Sequence, residues 1–175
     1  MSKRHRSRIS VKSKGYSTIA WLLTISVAII GLLILAIGFY EGRKAYWDSK
    51  VKERCEQDGG VRILERIRIR KADIVLLGHN DGKISVPVKD LASQDAPVYS
   101  ESKTTHLREW APEVRRIETS VIRRADQKTV ARWIYYSRIG GDFPTFAHPS
   151  SFGCPDLRRI TSDLEHLFIV EGDSK

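Results

Sequence analysis

Three hydrophobic rhythms follow one another along this chain. From Ile19 to Tyr40 there are 22 residues without a charge, and only Thr24 and Ser26 are markedly polar. At about 1.5 Å per residue a helix of this length reaches roughly 33 Å, enough for a hydrocarbon core of ~30 Å. Thirteen of the 22 are Leu, Ile, Val or Phe, each favouring the bilayer by about 0.3–0.6 kcal/mol, so insertion is expected to be favourable by a few kcal/mol. Tyr16 and Trp21 mark one interface, and Phe39, Tyr40, Tyr46 and Trp47 the other. The pattern predicts one transmembrane helix over 16–40. A cleaved signal peptide is the competing reading, since Ala36-Ile37-Gly38 offers small residues. The apolar stretch, however, exceeds the roughly 7–15 residues of a signal h-region. Ala20, Thr24 and Ala28 fall at spacing four, a small-residue face that also arises often by chance.

Beyond the apolar run the period is near four. Trp47, Val51 and Cys55 form one stripe on an otherwise charged segment, so 41–60 reads as a juxtamembrane helix ending at Gly59-Gly60, with Cys55 turned inward. The period then drops to two. Val61, Ile63, Glu65, Ile67 and Ile69 alternate with Arg62, Leu64, Arg66, Arg68 and Arg70, predicting one strand with an apolar and a basic face. The basic face is read as solvated, with an anion-facing stripe as the sharper reading.

Ile74–Leu77 and Ile84–Val88 flank a turn-rich Gly-His-Asn-Asp-Gly, a hairpin candidate, with Pro87 hinting at an edge. Residues 89–112 read as polar and irregular around a short strand at Val98–Ser100. Arg116–Arg123 and Thr129–Ile139 form a second hairpin carrying Trp133, Tyr135 and Tyr136. Gly140-Gly141 ends it, and a loop runs to Pro155. In the tail, Ser162 with Glu165 resembles a capping box, while Leu167–Val170 reads equally as a closing strand. The fold class expected is α+β: a basic tail (1–15), the transmembrane helix (16–40), the juxtamembrane helix (41–60) and a small, mainly antiparallel β domain (61–175).

The net charge of +9 suggests nucleic acid until it is divided. Six basic residues (Lys3, Arg4, Arg6, Arg8, Lys12, Lys14) precede the span without an acid, leaving 24 basic and 21 acidic residues after residue 40. A basic tail ahead of an apolar run sets membrane orientation or touches anionic lipid, so no nucleic-acid partner is expected, and the lipid bilayer is. Five basic residues also follow within fifteen positions of the span, but long domains translocate largely regardless of charge. The expected location is the inner membrane, single-pass, with the tail cytoplasmic and the domain periplasmic. Two cysteines, Cys55 and Cys154, stand at the ends of the distal domain; an even count in a small translocated domain reads as a disulfide, the alternative being two buried thiols in a cytosolic domain.

Cys55-Glu-Gln-Asp58-Gly59-Gly60, followed by Gly140-Gly141-Asp142-Phe143-Pro144 and His148-Pro149-Ser150-Ser151-Phe152-Gly153-Cys154-Pro155, resembles a family of small Gram-negative bacterial membrane-anchored or exported proteins of no established activity. The resemblance covers about 25 residues at the ends of the domain. It implies the cysteine pairing and the domain limits, and no function.

Asp142, His148, Ser150 and Ser151 are the residue types of a nucleophilic site, with a histidine base oriented by a carboxylate. Neither serine lies in a strand-to-elbow glycine pattern, and both follow a proline, so turn formation and backbone capping are the favoured roles. His79, His106, His148, His166 and the cysteines show no zinc-ligand spacing, and no phosphate-binding glycine frame exists, so neither metal nor cofactor is expected. The expected role is a membrane-anchored envelope accessory or interaction module meeting a protein partner; the alternative is an envelope hydrolase using His148 with Ser150 or Ser151.

Overall fold

A computed structural model of the full chain describes residues 14–80, 83–144 and 148–171. The chain divides into two units, 1–39 and 40–175. Helix α1 (Lys14–Asp58) carries the apolar run. All thirteen Leu, Ile, Val and Phe side chains between Ile19 and Phe39 are exposed, and the segment is long and apolar enough to cross a membrane. The hydroxyls of Thr24 and Ser26 donate to the carbonyls of Ala20 and Leu22, each at 2.9 Å. Both polar side chains are thus satisfied within the helix, as a segment without access to water requires.

Unit 40–175 is α+β. Its main sheet is antiparallel, in the order β1 (Gly60–Ile63), β7 (Lys128–Ile139), β6 (Glu113–Arg123), β5 (Val98–Arg108), with β8 (Ser151–Cys154) also paired to β7. A parallel pair joins β2 (Ile67–Arg70) to β9 (Phe168–Glu171), and β3 (Gly78–Asn80) pairs with β4 (Lys83–Ser85). A 3-10 helix (Lys71–Leu76) and α2 (Leu157–Glu165) complete the unit.

Alternation along β7 explains why both faces of the sheet are covered. Ala131 and Trp133 point to one face, where Val98, Val121, Ile67, Ile69 and Leu167 build the larger core. Ile134 and Tyr136 point to the other, where Val114 and Phe152 meet Trp47, Val51 and Cys55 of α1. The central hairpin β6–β7 therefore reads as apolar at both parities, which a strand open to water on one side would not.

Several sequence expectations are corrected. The single strand expected over 61–70 is two strands in different sheets. Leu64 N and Glu65 N both donate to Val130 O, at 2.8 and 3.0 Å, which uses up the ladder and turns the chain. Glu65, the one charge in the apolar phase, meets Arg123 at 2.5 Å and Lys128 at 2.9 Å at this break. Burial still alternates, with all four arginines exposed. Ile74–Leu77 is not a strand: the 3-10 helix ends at Leu76 and the hairpin is tightened onto β3–β4.

Residues 98–108 are one eleven-residue strand, not a short one in an irregular stretch. Glu101–Leu107 is exposed, so the strand has a polar sequence and no burial pattern to reveal it; its pairing with β6 defines it. The loop before Pro155 contains β8, and the tail holds both a helix and a strand. Ser162 lies inside α2 and caps nothing; Asp156 is the N-cap, accepting from Arg158 N at 2.8 Å.

Candidate functional site

Lys44, Asp48, Val51, Cys55 and Asp58 recur at steps of four and three, the spacing that lines one side of a helix. Each of the five meets the sheet or its loops in a different way. Asp58 accepts from Tyr136 Oη at 2.8 Å and from Arg116 Nη2 at 3.2 Å. Cys55 is bonded to Cys154, with Cα atoms 5.9 Å apart. Val51 is fully buried. Asp48 accepts from Arg138 Nε at 2.5 Å, and Lys44 Nζ lies 3.4 Å from Asp142 Oδ1. The charged members of this stripe look solvated in sequence, yet they are the helix's points of attachment.

Arg138, at 2% exposure, is the most buried charge among the described residues. Its Nε faces Asp48, while Nη1 donates to the Gly140 carbonyl, to Ser150 O at 3.2 Å and to Ser150 Oγ at 3.1 Å. The guanidinium has a fixed fork of five donors, so one side chain can hold helix, strand end and loop together. Beside it Gly140 N donates to Ser150 O at 2.8 Å, which ties the end of β7 to the start of β8. Gly141 sits at φ +91°, and a Cβ there would come within 2.9 Å of Pro112. A Cβ at Gly153 would run into the Tyr135 phenol. Those glycines of the two sequence blocks are therefore packing requirements.

Asp142 accepts from both Ser150 Oγ and Ser150 N at 2.7 Å. The Ser150 hydroxyl and amide, with Lys44 behind them, hold the Asp142 carboxyl below the usual carboxylate range. Burial raises the Tyr136 phenol, and its bond to Asp58 raises it further.

The four candidate residues are thus not assembled as nucleophile, base and orienter. The Ser150 hydroxyl donates its hydrogen bond to Asp142 and accepts one from Arg138. His148 is exposed, and among the described residues no hydrogen bond joins it to Ser150 or Ser151. Ser151 is exposed at the start of β8. Of the other histidines, His106 Nδ1 lies 2.9 Å from Glu113, and His166 caps the C-terminus of α2. The side chain of His79 lies outside the described residues. Among the described residues no three His, Cys, Asp or Glu side chains gather to hold a metal ion.

Sequence reasoning missed Arg138, Asp48 and Lys44. A signal existed: Arg138 shares its strand parity with Ile134 and Tyr136, and Asp48 lies three residues before Val51 on the inward face of α1.

Alanine at Ser150 is expected to cost about 1.5–3 kcal/mol, because both hydroxyl bonds are to charged groups. Alanine at Ser151 is expected to change stability by less than about 0.5 kcal/mol. The Asp142 carboxyl, depressed in the folded chain, contributes stability that is complete above its unfolded value of about 3.9 and is lost as pH falls through the folded value. Thermal unfolding of the full chain in detergent, followed from neutral pH into acid, should show this loss flattened in Ser150→Ala. An unchanged acid limb would break the assignment.

Comparison with family models, curated proteins and solved structures finds no match to this chain.

Proposed function

We propose that this protein is a single-pass inner-membrane protein whose C-terminal domain works on the periplasmic side as an accessory or interaction module. The observation that carries this reading is the exposure of the whole apolar run. Thirteen large apolar side chains of one helix are exposed in the folded chain. Scaled to their 40–71% exposure, a value of about 1.5–3 kcal/mol per fully buried side chain means that leaving them in water forgoes roughly 10–25 kcal/mol. A bilayer removes that penalty with no change to the fold.

The Cys55–Cys154 bridge supports an oxidising compartment for the domain. The basic residues ahead of the span support a cytoplasmic tail. A bacterial envelope is further supported by the resemblance of the two cysteine-containing blocks. A module is favoured over an enzyme by the way Asp142, Ser150 and Arg138 satisfy one another, which leaves the serine no free general base.

Fractionation should recover the full-length chain in the inner membrane, with the domain digested only when protease reaches the outer face. Protection of the domain in intact spheroplasts would overturn the orientation. Release of a shortened soluble form would show a cleaved leader. Labelling of Ser150 or Ser151 by a fluorophosphonate probe, abolished in His148→Ala, would overturn the non-enzymatic reading.

A further inference from the structure

The arginines of β6 and Arg138 of β7 are each held by a carboxylate: Arg115 by Glu113, Arg116 by Glu118, Arg123 by Asp126 and Arg138 by Asp48. Arg132 of β7 and Arg62 of β1 break this rule, since neither forms an ion pair among the described residues. Arg62 is exposed, but Arg132 is half-buried. The Arg132 Nε is closed off from solvent and has no acceptor among the described residues, a condition few buried donors tolerate.

The two arginines face each other across the β1–β7 ladder. Leu64 N donates to Val130 O two positions along, so Arg62 and Arg132 share a hydrogen-bonded rung, with Cα atoms about 5.5 Å apart. Their side chains therefore leave the same face of the sheet side by side. On its other flank Arg132 faces Ser120 of β6, across the closer kind of rung, about 4.5 Å. Ser120 lines a cavity of about 460 Å³ with Lys103, Thr129, Glu101 and Glu118. Both carboxylates of that cavity are taken, Glu101 by Lys89 and Glu118 by Arg116. Lys103 has no acid partner among the described residues.

We propose that Arg62, Arg132 and Ser120 form a binding site for a phosphate monoester group. Charge and donor count decide between the common anions. Two guanidinium groups on one rung repel each other, and an ion with close to two negative charges neutralises both. A phosphate monoester carries about −1.5 to −2 at neutral pH and offers three acceptor oxygens. A carboxylate has one charge and two oxygens, which a single guanidinium fork already fills. The Ser120 hydroxyl supplies a donor for the third phosphate oxygen, and Lys103 adds its charge to the approach. Every residue of this site lies within 40–175, so the site stands apart from the membrane reading.

Phosphorus NMR of glycerol phosphate, titrated with the full-length protein in uncharged detergent, provides the test. Wild type should broaden the signal, and excess acetate at equal ionic strength should leave the broadening in place. Arg62→Gln, at an exposed side chain outside the core, should weaken binding about ten- to a hundredfold, the worth of one charge-assisted pair. Arg62→Lys should recover only part of it, because an ammonium has no fork. Arg132→Lys, which keeps the charge, should also bind more weakly than wild type.

Phosphatidic acid added to the micelles carries the same group on a lipid. Displacement of glycerol phosphate by less phosphatidic acid than glycerol phosphate itself requires would place the monoester on a lipid. Displacement at equal concentrations would place it on a soluble ligand. Absence of broadening with wild type, equal broadening by Arg62→Gln, or displacement by acetate would each overturn the site.

Discussion

Replacing Arg138 by alanine is expected to destabilise the domain by about 2–5 kcal/mol, because it empties a fully buried site and leaves the half-buried Asp48 carboxylate without its partner. Asp48 would lose the guanidinium that Arg138 sets against it. The Gly140 carbonyl and the Ser150 hydroxyl would lose their Arg138 donor at the same time, while Ser150 O would keep Gly140 N. Lysine should recover only part of the loss, since a single ammonium cannot serve Asp48 and the turn together. Denaturant unfolding of the full chain in detergent, read by tryptophan fluorescence, measures both variants. A second comparison separates the charge from the packing. Arg138→Met combined with Asp48→Leu should be markedly more stable than Arg138→Ala, because replacing both partners leaves no unpaired charge. A midpoint for Arg138→Ala within error of wild type would show that the Arg138–Asp48 pair does not hold the helix.

Removing the disulfide is expected to have a comparable effect. Cys55 and Cys154 are 99 positions apart. Closing a loop of that size stabilises by about 4–5 kcal/mol on the chain-entropy model, an upper-end figure. Cys55→Ser with Cys154→Ser, or reduction of the wild type, should lower the unfolding midpoint to the same value. Indifference to reductant would contradict the bridge. The two effects should not add, because Arg138 and the bridge clamp the same 140–154 segment onto the same helix. In the combined variant the second loss should be smaller than the first.

The distinction between these attachments and an active site turns on Ser150. Its hydroxyl is the junction of a carboxylate and a guanidinium, both held by α1 through Lys44 and Asp48. Removing any member loosens the turn from the helix. A nucleophilic serine instead needs an unsatisfied lone pair aimed at substrate and a base to take its proton. The hydrogen bonds of Ser150 thus hold the loop to the helix.

Sequence alone determined the features that depend on local period and composition. The 22-residue apolar run, the helix stop after Asp58, the central hairpin and the inward face marked by Val51 and Cys55 all follow from spacing and glycine placement. Burial along 61–70 also alternates as the sequence implies, because side-chain direction is fixed by the pleat. What sequence could not decide was partner choice. Residues 61–70 carry one unbroken alternation, yet β1 joins β7 and β2 joins β9, since long-range hydrogen bonds select the neighbour. The eleven-residue β5 has almost no apolar signature beyond Val98 and Tyr99, and exists as a strand because β6 offers it a ladder. Asp48 and Arg138 each share a face with buried neighbours, but nothing in the sequence pairs one with the other. Ninety residues apart, they meet only when the helix is laid across the sheet, and that placement is a property of the tertiary structure.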